Sequence, residues 1–92
     1  MFFEWDLRKA ASNLKKHGVS FQDAATAFLD PLSLTIADPE HSAGEQRFVL
    51  LGQTEQGVLA VVAHTERGDI IRIISARRAN RIERRDYETI NR

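Results

Sequence analysis

Residues Ile70–Tyr87 read IIRIISARRANRIERRDY, and the fold class turns on how this run divides. Its first half, Ile70–Ala76, is a run of β-branched aliphatics and reads as a strand, with Arg72 set among them on the buried side. Its second half opens at Asn80, which with Glu83 can cap a helix from about Arg81 to Asn91, with Ala79, Ile82 and Ile90 on its apolar side and Arg81, Arg84, Arg85 and Arg92 on the outer one. A strand that turns directly into an arginine-rich helix belongs to an α+β chain. Six of the thirteen Lys and Arg residues lie in this stretch. Such a basic junction is the kind of surface that grips phosphates. Charge alone favours the plainer reading of a solvated helix face.

Upstream of this run the periodicity is also strand-like. Leu32, Leu34 and Ile36 alternate with Ser33 and Thr35, and Arg47–Leu51 and Val58–Thr65 are further strands. Short turns at Gln53–Gly57 and Glu66–Asp69 make an antiparallel meander the economical arrangement. Ala37–Gly44 is a polar loop holding Pro39 and His41. Two helices precede the strands. In the first, Asp6 is the N-cap, Leu7, Ala10, Ala11 and Leu14 form the apolar face, and Gly18 is the stop. In the second, Ser20 and Asp23 resemble a capping box, Phe21, Ala24, Ala25 and Phe28 form the face, and Asp30-Pro31 closes it. Phe2–Trp5 is either an edge strand or an apolar staple.

Ninety-two residues make one domain, spanning 1–92, without room for a separate cofactor domain. No apolar run approaches a membrane span, and the start, MFFEWDLRK, lacks a signal-peptide core, so a cytoplasmic location is the default. The absence of cysteine excludes disulfides, thiolate zinc sites and thiol nucleophiles. The formal charge of zero conceals a division: residues 1–17 sum to +2, 18–66 to −6 and 67–92 to +4. A fold that joins the two ends has a basic face and an acidic face, which suits a polyanion on one side and a basic partner on the other.

No phosphate loop, HExxH, EF-hand loop or GxSxG elbow is present, and no carboxylate cluster suits two magnesium ions. A metal site from His41 with Asp38 and Glu40 or Glu45 is far weaker than the reading of a polar loop. No cofactor or metal is therefore expected. Metal-free RNA cleavage needs a base for the 2′-hydroxyl, cations for the phosphoryl oxygens and an acid for the departing 5′-oxygen. Arginine suits the middle role because its planar fork meets two oxygens at once. The candidates are Arg67 at the hairpin turn, Arg72 in the strand, and Arg77 with Arg78 at its exit. Base or acid candidates are His17, His41, His64, Glu45 and Tyr87. For each the plain alternative stands beside it: Arg72 pairing with a carboxylate, or Tyr87 simply burying its ring.

Read together, FEWDLRKAASNLKKHGVSFQDAATAF, D-P-E-H with E-Q-R downstream, HTERGDIIRIISARRA and ER-R-D-Y resemble the BrnT family, over nearly the whole chain from Phe2 to Tyr87. The matching positions are Trp5, Asp6, Lys9, Asn13, Lys16, His17 and Gly18, then Asp38, His41, Glu45 and Arg47. A third group holds Thr65, Arg67, Arg72, Ser75, Arg77, Glu83, Arg84 and Tyr87. The resemblance implies a RelE-like α+β fold, with two N-terminal helices on an antiparallel sheet of about four strands and a C-terminal helix. It implies a ribonuclease toxin that blocks translation and growth. It also implies a BrnA-like antitoxin with a ribbon-helix-helix-type region, a heterotetramer of two toxins and two antitoxins, and operator DNA bound only through the antitoxin.

Two functions remain. The first is a metal-independent endoribonuclease, with Arg67, Arg77 and His17 as catalytic groups and Arg72, Lys16, Arg47 and Tyr87 as substrate contacts. The second is a non-catalytic nucleic-acid-binding or corepressor subunit that acts only with its partner, since phosphate contacts give affinity without chemistry. The helix arginines, Arg81, Arg84, Arg85 and Arg92, are expected to steer RNA or meet the antitoxin rather than form the site.

Overall fold

The computed structural model describes residues 1–91; Arg92, assigned above to the outer face of the last helix, lies outside them. The elements run β1 (Phe2–Glu4), α1 (Leu7–His17), α2 (Phe21–Thr26), β2 (Leu34–Asp38), β3 (Arg47–Gln53), β4 (Leu59–Arg67), β5 (Ile70–Arg78) and α3 (Arg81–Ile90). Single 3-10 turns follow α2 at Ala27–Leu29 and β2 at Pro39–His41. The class is α+β, as the sequence indicates. β2 to β5 form the expected antiparallel meander, and Phe2–Glu4 adds a fifth strand by pairing parallel to β5. The sheet order is thus β1-β5-β4-β3-β2.

The β4–β5 turn is tighter than the sequence suggests, because both strands continue to Arg67 and Ile70 around Gly68, whose φ is 58°. A backbone of that sign favours glycine. This tight turn sets the register back to the His64–Ile73 pair, beyond which a bulge shifts it so that Ala63 meets Ser75.

One sheet face carries the core. Val19, Phe21, Ala24 and Ala27 pack on Leu50, Ala60, Val62, Ile73 and Ala76. The 3-10 turn presses close to β3 at Gly52, where a Cβ would stand 2.8 Å from the Ala27 carbonyl oxygen. His64 lies within this layer, 1% exposed, its ring edge-on to Phe28 at 4.8 Å and stacked on Phe48 at 5.8 Å.

The face expected for α1 is corrected. Leu7 and Leu14 are 80% and 50% exposed, while Asn13 is buried. Its side-chain nitrogen donates to the Ala76 carbonyl at 2.8 Å and the Val19 carbonyl at 3.0 Å, and its oxygen accepts from the Ala76 amide at 3.1 Å. β1 covers only the start of the β5 edge, and beyond it the Asn13 amide occupies the place a further strand would take. That satisfies backbone groups whose burial without partners is costly. In α2, Ser20 caps as expected, but the Asp23 carboxylate accepts from the Gln56 amide instead of closing a capping box. In α3 the box at Asn80 and Glu83 is complete, yet Ile82 and Ile90 are largely exposed. Among the described residues no helix is long and apolar enough to cross a membrane.

Candidate active site

Register places one residue from each strand in a single lateral row. Glu4 pairs with Arg72, Arg72 with Thr65, Thr65 with Arg47 and Arg47 with Asp38. Directly paired residues project from the same face of a sheet. The core residues Leu50 on β3, Val62 on β4 and Ile73 on β5 stand an odd number of positions from Arg47, Thr65 and Arg72, so alternation turns the row towards the opposite, open face. The row reads carboxylate, guanidinium, hydroxyl, guanidinium, carboxylate. Thr65 keeps the two arginines two strand spacings apart, roughly 10 Å, so neither cation is directly opposite the other.

Each end of the row is held. Arg72 Nη1 lies 3.4 Å from Glu4 Oε2, with both side chains near half exposure. Asp38 Oδ2 lies 2.9 Å from His41 Nδ1, and since a carboxylate only accepts, the imidazole donates there. At the centre, Thr65 is 4% exposed and its hydroxyl has no hydrogen-bond partner among the described residues. A buried hydroxyl without a partner costs about 1–3 kcal/mol, so a polar group brought to it through the cavity would be favoured.

A cavity of about 280 Å³ opens over this row, lined by Arg47, Thr65, Arg72, His41, Glu45 and Lys9, with Ile74 and Ala43 completing the wall. Three cations from α1, β3 and β5 therefore converge with one oriented imidazole. Glu45 accepts from Arg67 Nε at 2.5 Å and Nη2 at 3.0 Å, which holds its carboxyl below the usual carboxylate range. Such a cavity can take a phosphodiester on its cations and exchange a proton through the imidazole. Among the described residues no three His, Asp or Glu side chains converge as metal ligands.

A family model described as the ribonuclease toxin BrnT of a type II toxin–antitoxin system matches residues 5–83. The chain belongs to the BrnT family. The match spans every cavity residue just named and stops short of Tyr87. Among solved structures, the chain resembles the crystal structure of the ribonuclease toxin BrnT from Brucella abortus, with a TM-score of 0.67 at 20% identity, over 88% of this chain and 100% of that one. At that identity the likeness is one of fold. No curated protein sequence matches the chain.

Within this BrnT fold the sequence candidates separate. Arg47 and Arg72 meet in the cavity, Arg72 part-exposed on the open face instead of on the buried side. Arg67 stands at the rim, 68% exposed and engaged by Glu45. Lys16 and His17 line an adjoining groove of about 220 Å³ that shares Lys9 and Ile74 with the cavity. Arg77 and Tyr87 are outside both. Arg77 makes two 2.8 Å bonds to Glu83 on α3, and the Glu83 partner raises the Arg77 pKa further. Tyr87 donates to Asp30 Oδ2 at 2.6 Å. His64, a base candidate by sequence, has its ring nitrogens near the Val62 carbonyl and Glu66 and faces the core.

The sequence places Lys9 and Thr65 among the positions that match the family without assigning them a part in the site, and it does not single out Glu4. A signal for Thr65 was present: a two-residue turn at Gly68-Asp69, counted back along both strands, pairs Thr65 with Arg72.

Proposed function

We propose that this BrnT protein is a metal-independent endoribonuclease whose substrate phosphate sits over the Arg72–Thr65–Arg47 row. The observation that carries the reading is the convergence of Lys9, Arg47 and Arg72 with the Asp38-oriented His41 in one cavity on the open sheet face. Guanidinium groups on either side of a phosphate neutralise the charge that grows on its non-bridging oxygens as the 2′-oxygen attacks. Arg67 acts at one remove, fixing Glu45 against the cation cluster. Arg77 fastens the first turn of α3 to β5, so its loss is expected to act through the packing of α3.

The protein works, on this reading, in the cytoplasm with a BrnA-like antitoxin, in a heterotetramer that reaches operator DNA only through the antitoxin. Growth stops when RNA is cut and translation fails.

Incubating the purified chain with end-labelled RNA in EDTA tests the reaction. Fragments ending in 2′,3′-cyclic phosphate are expected, and Arg72→Ala or Arg47→Ala should slow their formation by tenfold or more. Salt-sensitive binding with intact RNA would instead support the non-catalytic subunit.

A further inference from the structure

We infer that His41 is the group that takes the 2′-hydroxyl proton, with Asp38 as its positioning residue; the inference rests on the ribonuclease reading. Three histidines are available, and their surroundings differ in kind. His64 is 1% exposed and packed between Phe28 and Phe48, out of reach of any substrate. His17 ends α1 in the adjoining groove, and among the described residues no carboxylate orients its ring. His41 alone combines an oriented ring with access to the three-cation cavity: Nδ1 bonds Asp38 at 2.9 Å, and its side chain is 60% exposed along the wall. Fixing Nδ1–H on a carboxylate leaves the Nε2 lone pair as the acceptor, which is the tautomer a base needs.

The turn that carries the dyad is itself tied to the row. Asp38 is the outermost member of the row and pairs with Arg47. The Ser42 hydroxyl donates to the Asp38 carbonyl and accepts from the Arg47 amide at 2.9 Å, closing the loop onto the start of β3. The imidazole is therefore placed relative to the phosphate seat by backbone pairing and not by a free loop. The charged groups around it are Lys9 from α1, Arg47 from β3, Arg72 from β5, Glu45 with its partner Arg67, and Glu40 on its own turn. The cations draw the phosphate in, and Asp38 compensates the positive charge that the imidazole acquires.

In the step, His41 Nε2 accepts the 2′-hydroxyl proton as the O2′–P bond forms. The P–O5′ bond breaks, and the departing O5′ takes a proton from water at the cavity mouth. The products are a 2′,3′-cyclic phosphate and a 5′-hydroxyl, and the imidazolium returns its proton to solvent.

The test is the pH dependence of kcat and KM for RNA cleavage in EDTA. His41→Ala is expected to lower kcat by roughly 100-fold or more with KM within a few-fold, and to abolish the acid limb of the profile. Added imidazole should restore part of the lost rate. Asp38→Asn should lower kcat with KM unchanged, and Glu40→Gln should match the parent. Thermal melts check that each variant folds. A His41→Ala protein that keeps the parent kcat and acid limb overturns the assignment while leaving the ribonuclease reading intact. So does loss of that limb in His17→Ala but not in His41→Ala. A parent protein that leaves RNA whole in EDTA overturns both.

Discussion

At the residue scale, Asn13 shows how a polar side chain can do the work of a strand. Its amide has the same donor and acceptor as a peptide group, and it meets the Ala76 amide and carbonyl as a neighbouring backbone would. Helical periodicity weighs apolar residues, so it selected Leu7, Ala11 and Leu14 and passed over the one side chain of α1 that is buried. Asn13→Ala strips three hydrogen bonds and leaves the Ala76 and Val19 backbone groups unpaired. A loss of about 3 kcal/mol or more is expected in urea unfolding, larger than for Leu7→Ala on the exposed side. Arg47 and Arg72 were legible as candidates for phosphate contact from their chemistry, and the fold brings both to one cavity. Thr65 was not, because a hydroxyl in a strand has no distinguishing pattern until its cross-strand neighbours are known.

At the element scale, α3 follows the sequence in its cap and departs from it in its packing. The capping box at Asn80 and Glu83 is a local bond pattern, and it forms as read. The inward contacts are instead made by Glu83, which meets Arg77, and Tyr87, which meets Asp30 beyond the end of α2. Burial and the Asp30 bond push the Tyr87 hydroxyl up to about 12. The protonated phenol is thus preferred in the fold, and its contribution is full below the ordinary tyrosine range near 10 and fades as pH rises from there towards 12. Bonds from Tyr87 and the Gln53 and Leu32 amides outweigh burial and hold the Asp30 carboxyl below its usual range. That contribution is present above the ordinary carboxylate pKa and is lost as pH falls through the lowered one. Tyr87→Phe is expected to cost about 1 kcal/mol at neutral pH and to flatten the alkaline decline, as read by thermal melts across pH 7–11.

At the scale of the whole molecule, the division of charge along the chain becomes a division in space only in part. Lys9 from the basic start and Arg72 from the basic end do converge, but Arg47, the single cation of the acidic middle, stands with them. The phosphate contacts proposed for these three side chains imply a salt-dependent affinity. For single-stranded RNA the log–log slope against salt is expected near −2, about −0.7 for each phosphate contact, and Arg72→Ala should reduce it by about 0.7. Fluorescence titration of a 2′-deoxy oligonucleotide, which cannot be cleaved by this chemistry, measures both slopes.

The sequence by itself determined the α+β class, the meander from β2 to β5, the caps at Asp6, Ser20 and Asn80, and membership of the BrnT family. Those depend on local backbone preference, hydrophobic alternation and residues near one another in the chain. Only the tertiary structure decided that β1 returns beside β5, that Asn13 seals its edge, and that Glu4, Arg72, Thr65, Arg47 and Asp38 stand in one row. A one-residue slip in any strand pairing would break that row and turn a side chain to the core face. The site is set by register across five strands, and register is a property of the closed sheet.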